Sequence, residues 1–234
     1  MAELRPAERD LLLMVLAAAA GAADAWSYFG LNHSFVANMT GNTVLIGVAL
    51  AHRNGDFRHP LISLIGYAFG VIAGSLLTRK VQPEILWPRA VSWTLLLESL
   101  LMVLAEAGWS VVHRASSWME VDRNLLLVGV AFAIGLQSGA LLQMKIPGVV
   151  TTYITGTWTN LMSGLARLFA RGDRPLKGGR KQFEERLLLQ AGILSAYLAS
   201  AALAGLILRY FPIAAGVLPA SAVLFVSGYG LVRG

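Results

Sequence analysis

LLLMVLAAAAGAADAWSYFG, residues 11–30, is the stretch on which the fold turns. It is apolar throughout except for a few small polar groups and one acid, Asp24. A helix rises 1.5 Å per residue, so roughly 20 apolar residues cross the ~30 Å of hydrocarbon in a bilayer. Five further stretches pass the same test: 60–78, 90–112, 125–144, 187–208 and 212–232. The composition agrees, with 56% hydrophobic residues, 14% charged and a mean hydropathy of +0.62. A soluble domain has about 45–50% apolar and about 25% charged residues, and could not hide this much apolar surface. Disorder, a disulfide scaffold and an ordinary cytosolic enzyme are excluded. The chain contains no cysteine, which removes thiol chemistry.

The first stretch also resembles the apolar core of a signal peptide followed by an A-x-A site. The preceding MAELRPAERD carries Glu3, Glu8 and Asp10 beside Arg5 and Arg9, which is atypical of one. The expectation is a retained first helix. Trp87 and Trp93 flank the start of the 90–112 stretch and Trp109 marks its end. The rise from 87 to 109 is about 33 Å, one bilayer core, so these rings are expected at its two interfaces.

Two shorter stretches, 36–52 and 149–166, are rich in Thr and Asn and either span or dip in and return. The basic residues lie between the apolar blocks, as the positive-inside rule places them. The net charge of +6 is therefore not read as a nucleic-acid footprint. Fourteen of the nineteen Lys and Arg residues fall on one side if both short stretches span, and fourteen if neither does. The split weakens to twelve against seven if only one spans. The two stretches thus form a matched pair, and the reading leans to six long spans plus two short helices.

The pairing is visible in the residues. Phe35 to Thr43 reads FVANMTGNT and Val149 to Thr157 reads VVTTYITGT, with the Thr-Gly steps 115 residues apart. Each follows an apolar helix with a polar interruption, Gly21 to Asp24 or Gly135 to Ser138, and each precedes two more long stretches. The expected architecture is an all-α polytopic membrane protein with a two-fold internal repeat, halves 1–112 and 113–234, forming one integrated membrane domain. Re-entrant short helices make the repeats inverted; spanning ones make them parallel. Small residues at i, i+4 (Gly66, Gly70 and Gly74; Gly135 and Gly139; Ala201 and Gly205) predict close helix packing. They do not separate packing within the chain from a homo-oligomer.

Ionisable groups inside a membrane cost roughly 2.5–3.5 kcal/mol each and call for a reason. Asp24 and Glu98 are the expected proton- or cation-coupling groups, with Glu106 a weaker candidate near Trp109. The other expected pathway residues are Asn38, Thr40, Asn42 and Thr43 in the first half. Gln137, Thr151, Thr152, Tyr153, Thr155, Thr157, Thr159 and Asn160 are their counterparts in the second. Gly41 and Gly156 are the expected helix breaks. Backbone freed at membrane depth is tolerated only where it is buried or lines a cavity.

His33, His52, His59 and His113 lie at segment ends and form no H-x-x-x-H pair, so no metal site is expected. No nucleophile elbow, Walker loop or dinucleotide fingerprint is present. The chain is read as a non-enzyme without cofactor. The stretch 171–186, RGDRPLKGGRKQFEER, is read as a basic loop that anchors the cytoplasmic face and meets anionic lipid.

GAADAWSY (Gly21 to Tyr28) followed by FVANMTGNT resembles the first signature of the YoaK-like family, bacterial polytopic membrane proteins of unknown function. GLQ (Gly135 to Gln137) and PGVVTTYITGT (Pro147 to Thr157) are similar to its second. The resemblance covers roughly 10–232 and implies about six spans. Ser138 and Gly139 stand where the family usually shows an Asn-Ala pair. The leading expectation is a small transporter or channel for a small molecule or ion in the bacterial inner membrane, with the N-terminus and the 167–186 loop cytoplasmic. The alternative is a non-transporting accessory or sensor protein that docks a partner through the basic loop. The bilayer and an unidentified ligand are the expected partners, and nucleic acid is not.

Overall fold

The computed structural model describes residues 4–52, 55–82, 85–114, 120–146, 152–169 and 179–234, with 112–114 and 120–122 by backbone alone. The described elements are eight α-helices and one 3-10 turn, with no strand among the described residues. They are α1 (Pro6–Gly30), α2 (Met39–Ala51), α3 (Arg58–Leu77), α4 (Arg89–Arg114), α5 (Glu120–Leu142), α6 (Ile154–Phe169), α7 (Gly179–Tyr210) and α8 (Val217–Arg233). Six stretches are long and apolar enough to cross a membrane: α1, α3, α5, α7, most of α4, and Pro212–Arg233 containing α8. Thr151 and residues 171–178 of the basic stretch lie outside the described residues, as does the His113 side chain.

Contacts at the helix ends give the direction of each span. Glu8 at the start of α1 accepts from the Tyr229 hydroxyl near the end of α8 at 2.9 Å. Arg89 at the start of α4 donates to the Gly234 carbonyl. These ends define a first face. Just beyond the end of α1, the Asn32 amide donates to Asn124 near the start of α5 at 3.2 Å. It also lies 3.3 Å from His59 Nδ1 at the start of α3. These three ends meet at the second face. Trp109, late in α4, donates to the Pro212 carbonyl just before α8, also at the second face.

Both short helices turn back. α1 ends and α3 begins at the second face, so α2 between them does not cross. Asn32 and His33 have left-handed φ of 64° and 55°, and they reverse the chain after α1. Residues 36–38 then run back beside Asp24, and α2 climbs from there towards the second face. α6 does the same from the other side. Its second half packs on the beginning of α7, with Gly164 against Leu187 and Phe183, at the first face where α5 ends.

α7 runs alongside α1 in the same direction: Gly192 faces Met14, Gly21 faces Tyr197, and Gly205 faces Phe29. α3 runs alongside α5 likewise: Gly66 faces Val128, Gly70 faces Phe132, and Gly74 faces Leu136. Without a hydrophobic force between helices in lipid, such backbone-to-backbone approach at small residues is what holds spans together. α1 is the most enclosed span, with Ala17, Ala19, Ala20, Ala22 and Ala23 fully buried on several sides. Outward-facing Ile65, Phe69, Ile72 and Leu76 of α3, and Leu198, Leu203 and Leu206 of α7, are exposed as a hydrocarbon solvent demands.

Three expectations are corrected. Residues 179–186 are helix and not loop: Arg180 pairs with Glu184 at 2.7 Å and Lys181 with Glu185 at 4.0 Å, i,i+4 pairs that extend α7 past its apolar part. Trp87 and Trp109 are 1% and 4% exposed, turned into the bundle, while Trp93 is 60% exposed. The buried indoles find partners there, Trp87 on Ser92 and Trp109 on Pro212. The third concerns the two Thr-Gly glycines. Gly41 and Gly156 each sit in the first turn of a helix, not at a break. In the first half the break comes earlier, at the Asn32–His33 reversal. A Cβ at 41 would lie 2.9 Å from both the Asn38 amide and the Phe35 ring, so those side chains would have to shift.

Candidate functional site

Asp24 sits six residues before the end of α1, about 9 Å below it. Its Oδ1 accepts the backbone N–H groups of Val36 (2.8 Å), Ala37 (2.7 Å) and Asn38 (3.4 Å). Its Oδ2 accepts the Tyr197 hydroxyl from α7. One carboxyl thus ties together α1, α7 and the segment leading into α2. The neighbouring residues complete the tether. Asn42 clamps the backbone of Phe35 in both directions, accepting its N–H at 2.9 Å and donating to its carbonyl at 2.7 Å. The Ser63 hydroxyl of α3 donates to the same carbonyl. Asn38 caps α2 by accepting the Gly41 N–H at 3.0 Å.

The second half places hydroxyls at the corresponding level. Ser138 of α5 lies 2.9 Å from Thr152, just before α6, and the Tyr67 hydroxyl of α3 lies 3.4 Å from Thr152. Tyr67 holds the place against α5 that Tyr197 holds against α1: a Cβ on Gly135 would strike the Tyr67 carbonyl, and one on Gly21 the Tyr197 carbonyl.

Between these two assemblies lies a cavity of about 530 Å³. Its wall is made by the first residues of α2 and α6 (Asn38, Met39 and Thr40; Tyr153, Ile154 and Thr155), with Tyr67, Ser138, Thr152 and Tyr197. Val71 and Leu142 supply an apolar side. A volume of this size with a few convergent polar groups falls in the range of small-molecule sites.

The sequence candidates therefore divide. Asn38, Thr40, Thr152, Tyr153 and Thr155 line the cavity. Asp24 stands one hydrogen bond behind it, through Tyr197. Asn42 holds Phe35. Thr43, Thr157 and Thr159 back-bond to carbonyls one turn earlier in their own helices. Gln137 is fully buried and its amide faces the Leu16 carbonyl of α1 at 3.4 Å. Asn160 is exposed on the outer side of α6. Glu106 accepts the Gly216 N–H at 2.7 Å and so caps the start of α8. Glu98 lies fully buried in α4, away from the cavity wall, and neither carboxyl oxygen has a hydrogen-bond partner among the described residues.

Tyr67 and Tyr197 were not among the sequence candidates. Each is the single tyrosine within an apolar stretch, LIGYAFG or ILSAYLAS, and that contrast is the signal that could have found them.

The family model described as "Protein of unknown function (DUF1275)" matches residues 12–229. The chain belongs to this family. The UPF0700 transmembrane protein YoaK of Bacillus subtilis (strain 168) is 34% identical over 171 residues, 72% of each chain. No solved structure matches the chain significantly. Membership in a transmembrane family agrees with the six candidate spans, and the protein is an integral membrane protein.

Proposed function

We propose that the protein is a small transporter or channel, not an enzyme, and that its solute passes through the cavity between the starts of α2 and α6. The observation that carries this is the cavity itself: two short helices come in from opposite faces and end at one polar-lined space. Non-helical backbone at membrane depth is tolerated where it borders a cavity, and interrupted helices of this kind build solute sites in transporters.

The two halves are read as inverted copies, each with three spans and one re-entrant helix. Their packing partners support this: exchanging α1 with α5, α3 with α7 and Tyr67 with Tyr197 returns the same set of neighbours. Such copies can trade conformations and open the cavity to one face and then the other.

Glu98 is proposed as the proton-coupling group. Its carboxyl is buried in a span with no hydrogen-bond partner among the described residues, and an ionisable group in that position marks a functional site. Asp24, whose acceptor sites are taken by α2 and Tyr197, is proposed as an anchor instead. Placement in the bacterial plasma membrane with the first face cytoplasmic is supported by the fourteen Lys and Arg residues that the sequence count assigns to that side when neither short stretch spans.

The test uses the absence of native cysteine. Thr155→Cys places one thiol at the cavity lip. Modifying it with a bulky maleimide is expected to abolish solute flux in proteoliposomes relative to the same unmodified variant. A maleimide on a Leu198→Cys variant, facing outward from α7, is expected to leave flux unchanged. Flux that survives a fully modified residue 155 refutes the pathway.

A further inference from the structure

We propose that the cavity takes a small uncharged solute bearing both hydrogen-bond donors and acceptors, of the amide or polyol class, and rejects ions. This rests on the cavity being the transport path.

Among the described residues, no Lys, Arg, His, Asp or Glu lines the cavity wall. Asp24 is not on the wall, and its carboxyl is held by the N–H groups leading into α2 and by Tyr197. The starts of α2 and α6 each contribute the positive end of a helix dipole, about half a charge, and at α2 the Asp24 carboxyl already answers it. What remains is enough to orient a carbonyl or hydroxyl oxygen and too little to balance an anion. An ion stripped of water here would have no counter-charge, and its desolvation would go uncompensated.

A neutral polar solute meets what it needs. Tyr197 borders the cavity, and its hydroxyl, donated to Asp24, keeps only acceptor capacity. The Tyr67, Thr152 and Ser138 hydroxyls form a chain that reaches the Ile134 carbonyl and keep acceptor capacity, while the Thr40 and Thr155 hydroxyls and the Asn38 amide on the wall can donate. Val71, Leu142 and Met39 cover the solute's carbon side. The volume of about 530 Å³ suits a molecule of a few heavy atoms with accompanying water.

The experiment is flux into vesicles containing the full chain, against protein-free vesicles, using urea and glycerol as neutral probes and tetramethylammonium and methanesulfonate as permanent ions. The proposal expects faster entry of at least one neutral probe and no gain for either ion. Tyr67→Phe keeps the ring and removes one hydroxyl from the wall. It is expected to slow the neutral flux about fivefold, the equivalent of one hydrogen bond, with the melting temperature measured in parallel to show the variant folded. Ion flux without neutral flux overturns this inference and leaves the transport reading standing. No flux of any probe from correctly inserted protein overturns both. Neutral flux untouched in a folded Tyr67→Phe variant overturns this cavity as the site of selection.

Discussion

Replacing Asp24 by Ala is expected to lower the melting temperature of the purified protein by about 10 °C. The substitution strands two well-made backbone N–H bonds, a longer third and the Tyr197 hydroxyl, with Val36 and Ala37 almost fully inaccessible to water. An unsatisfied buried donor costs about 1–3 kcal/mol, so the group together costs about 3–5 kcal/mol. In a protein of this size each kcal/mol moves the midpoint by about 2–4 °C. Asp24→Asn is expected to keep most of the stability. Its amide oxygen can accept the same N–H groups, and its amide nitrogen can donate to Tyr197 if that hydroxyl turns. This pair of variants also separates the anchor from a coupling role. An anchor loses stability in the Ala variant and keeps flux in the Asn variant, whereas a proton carrier loses coupling in both. Equal melting temperatures for Asp24→Ala and the parent protein contradict the anchor.

The second large effect is expected at Gly135. A Cβ there would strike the Tyr67 carbonyl and come within 2.9 Å of Gly70 Cα. Both obstacles are backbone of α3 and cannot rotate away, so α3 and α5 must separate. Overpacking of this kind costs about 1–3 kcal/mol, or about 5–10 °C, and the loss falls on the helix pair that carries Tyr67 and Ser138. Gly129→Ala is the control on the same helix, since nothing lies within 4 Å of its Cβ position. It is expected to be neutral or slightly stabilising, because Ala favours helix over Gly by about 1 kcal/mol. The measurement is thermal unfolding in detergent, followed by retention of the monodisperse species. Indistinguishable curves for the two variants contradict the close approach of α3 and α5.

The apolar spans were legible because hydrocarbon imposes a length and a composition that few other demands imitate. The 60–78 and 90–112 stretches fall within two residues of α3 and α4 at each end. The start of α7 was not legible in that way, because its first turns are polar and held by ion pairs along the helix. The re-entrance of α2 and α6 was hidden for a different reason. Lys and Arg counts are the same whether both short stretches cross or neither does, so the electrostatic signal is silent on that choice. It takes the meeting of Asn32, His59 and Asn124 to decide it.

The candidate site was legible as a pair of Thr-Gly segments and only partly as a set of roles. Thr40 and Thr155 line the cavity as their matching positions suggested, but a polar residue beside them has no sequence mark saying which way it faces. Asn42, two residues beyond Thr40, turns away to clamp Phe35. Asp24 was conspicuous as a charge in a span, and its partners, three consecutive backbone N–H groups twelve to fourteen residues later, leave no trace in residue identity. Tyr67 and Tyr197 come from α3 and α7, far apart in the chain, and converge only through the packing of α3 on α5 and α7 on α1.

The central claim is that α2 and α6 enter from opposite faces and turn back. Single cysteines at Asp56 and Lys181, introduced into the naturally cysteine-free chain, test it directly with a membrane-impermeant maleimide in oriented membranes. With α2 and α6 re-entrant the two positions lie on opposite faces, so one label reacts from outside and the other only after permeabilisation. If α2 and α6 instead cross the membrane, residues 56 and 181 share a face and label together, and the account is contradicted.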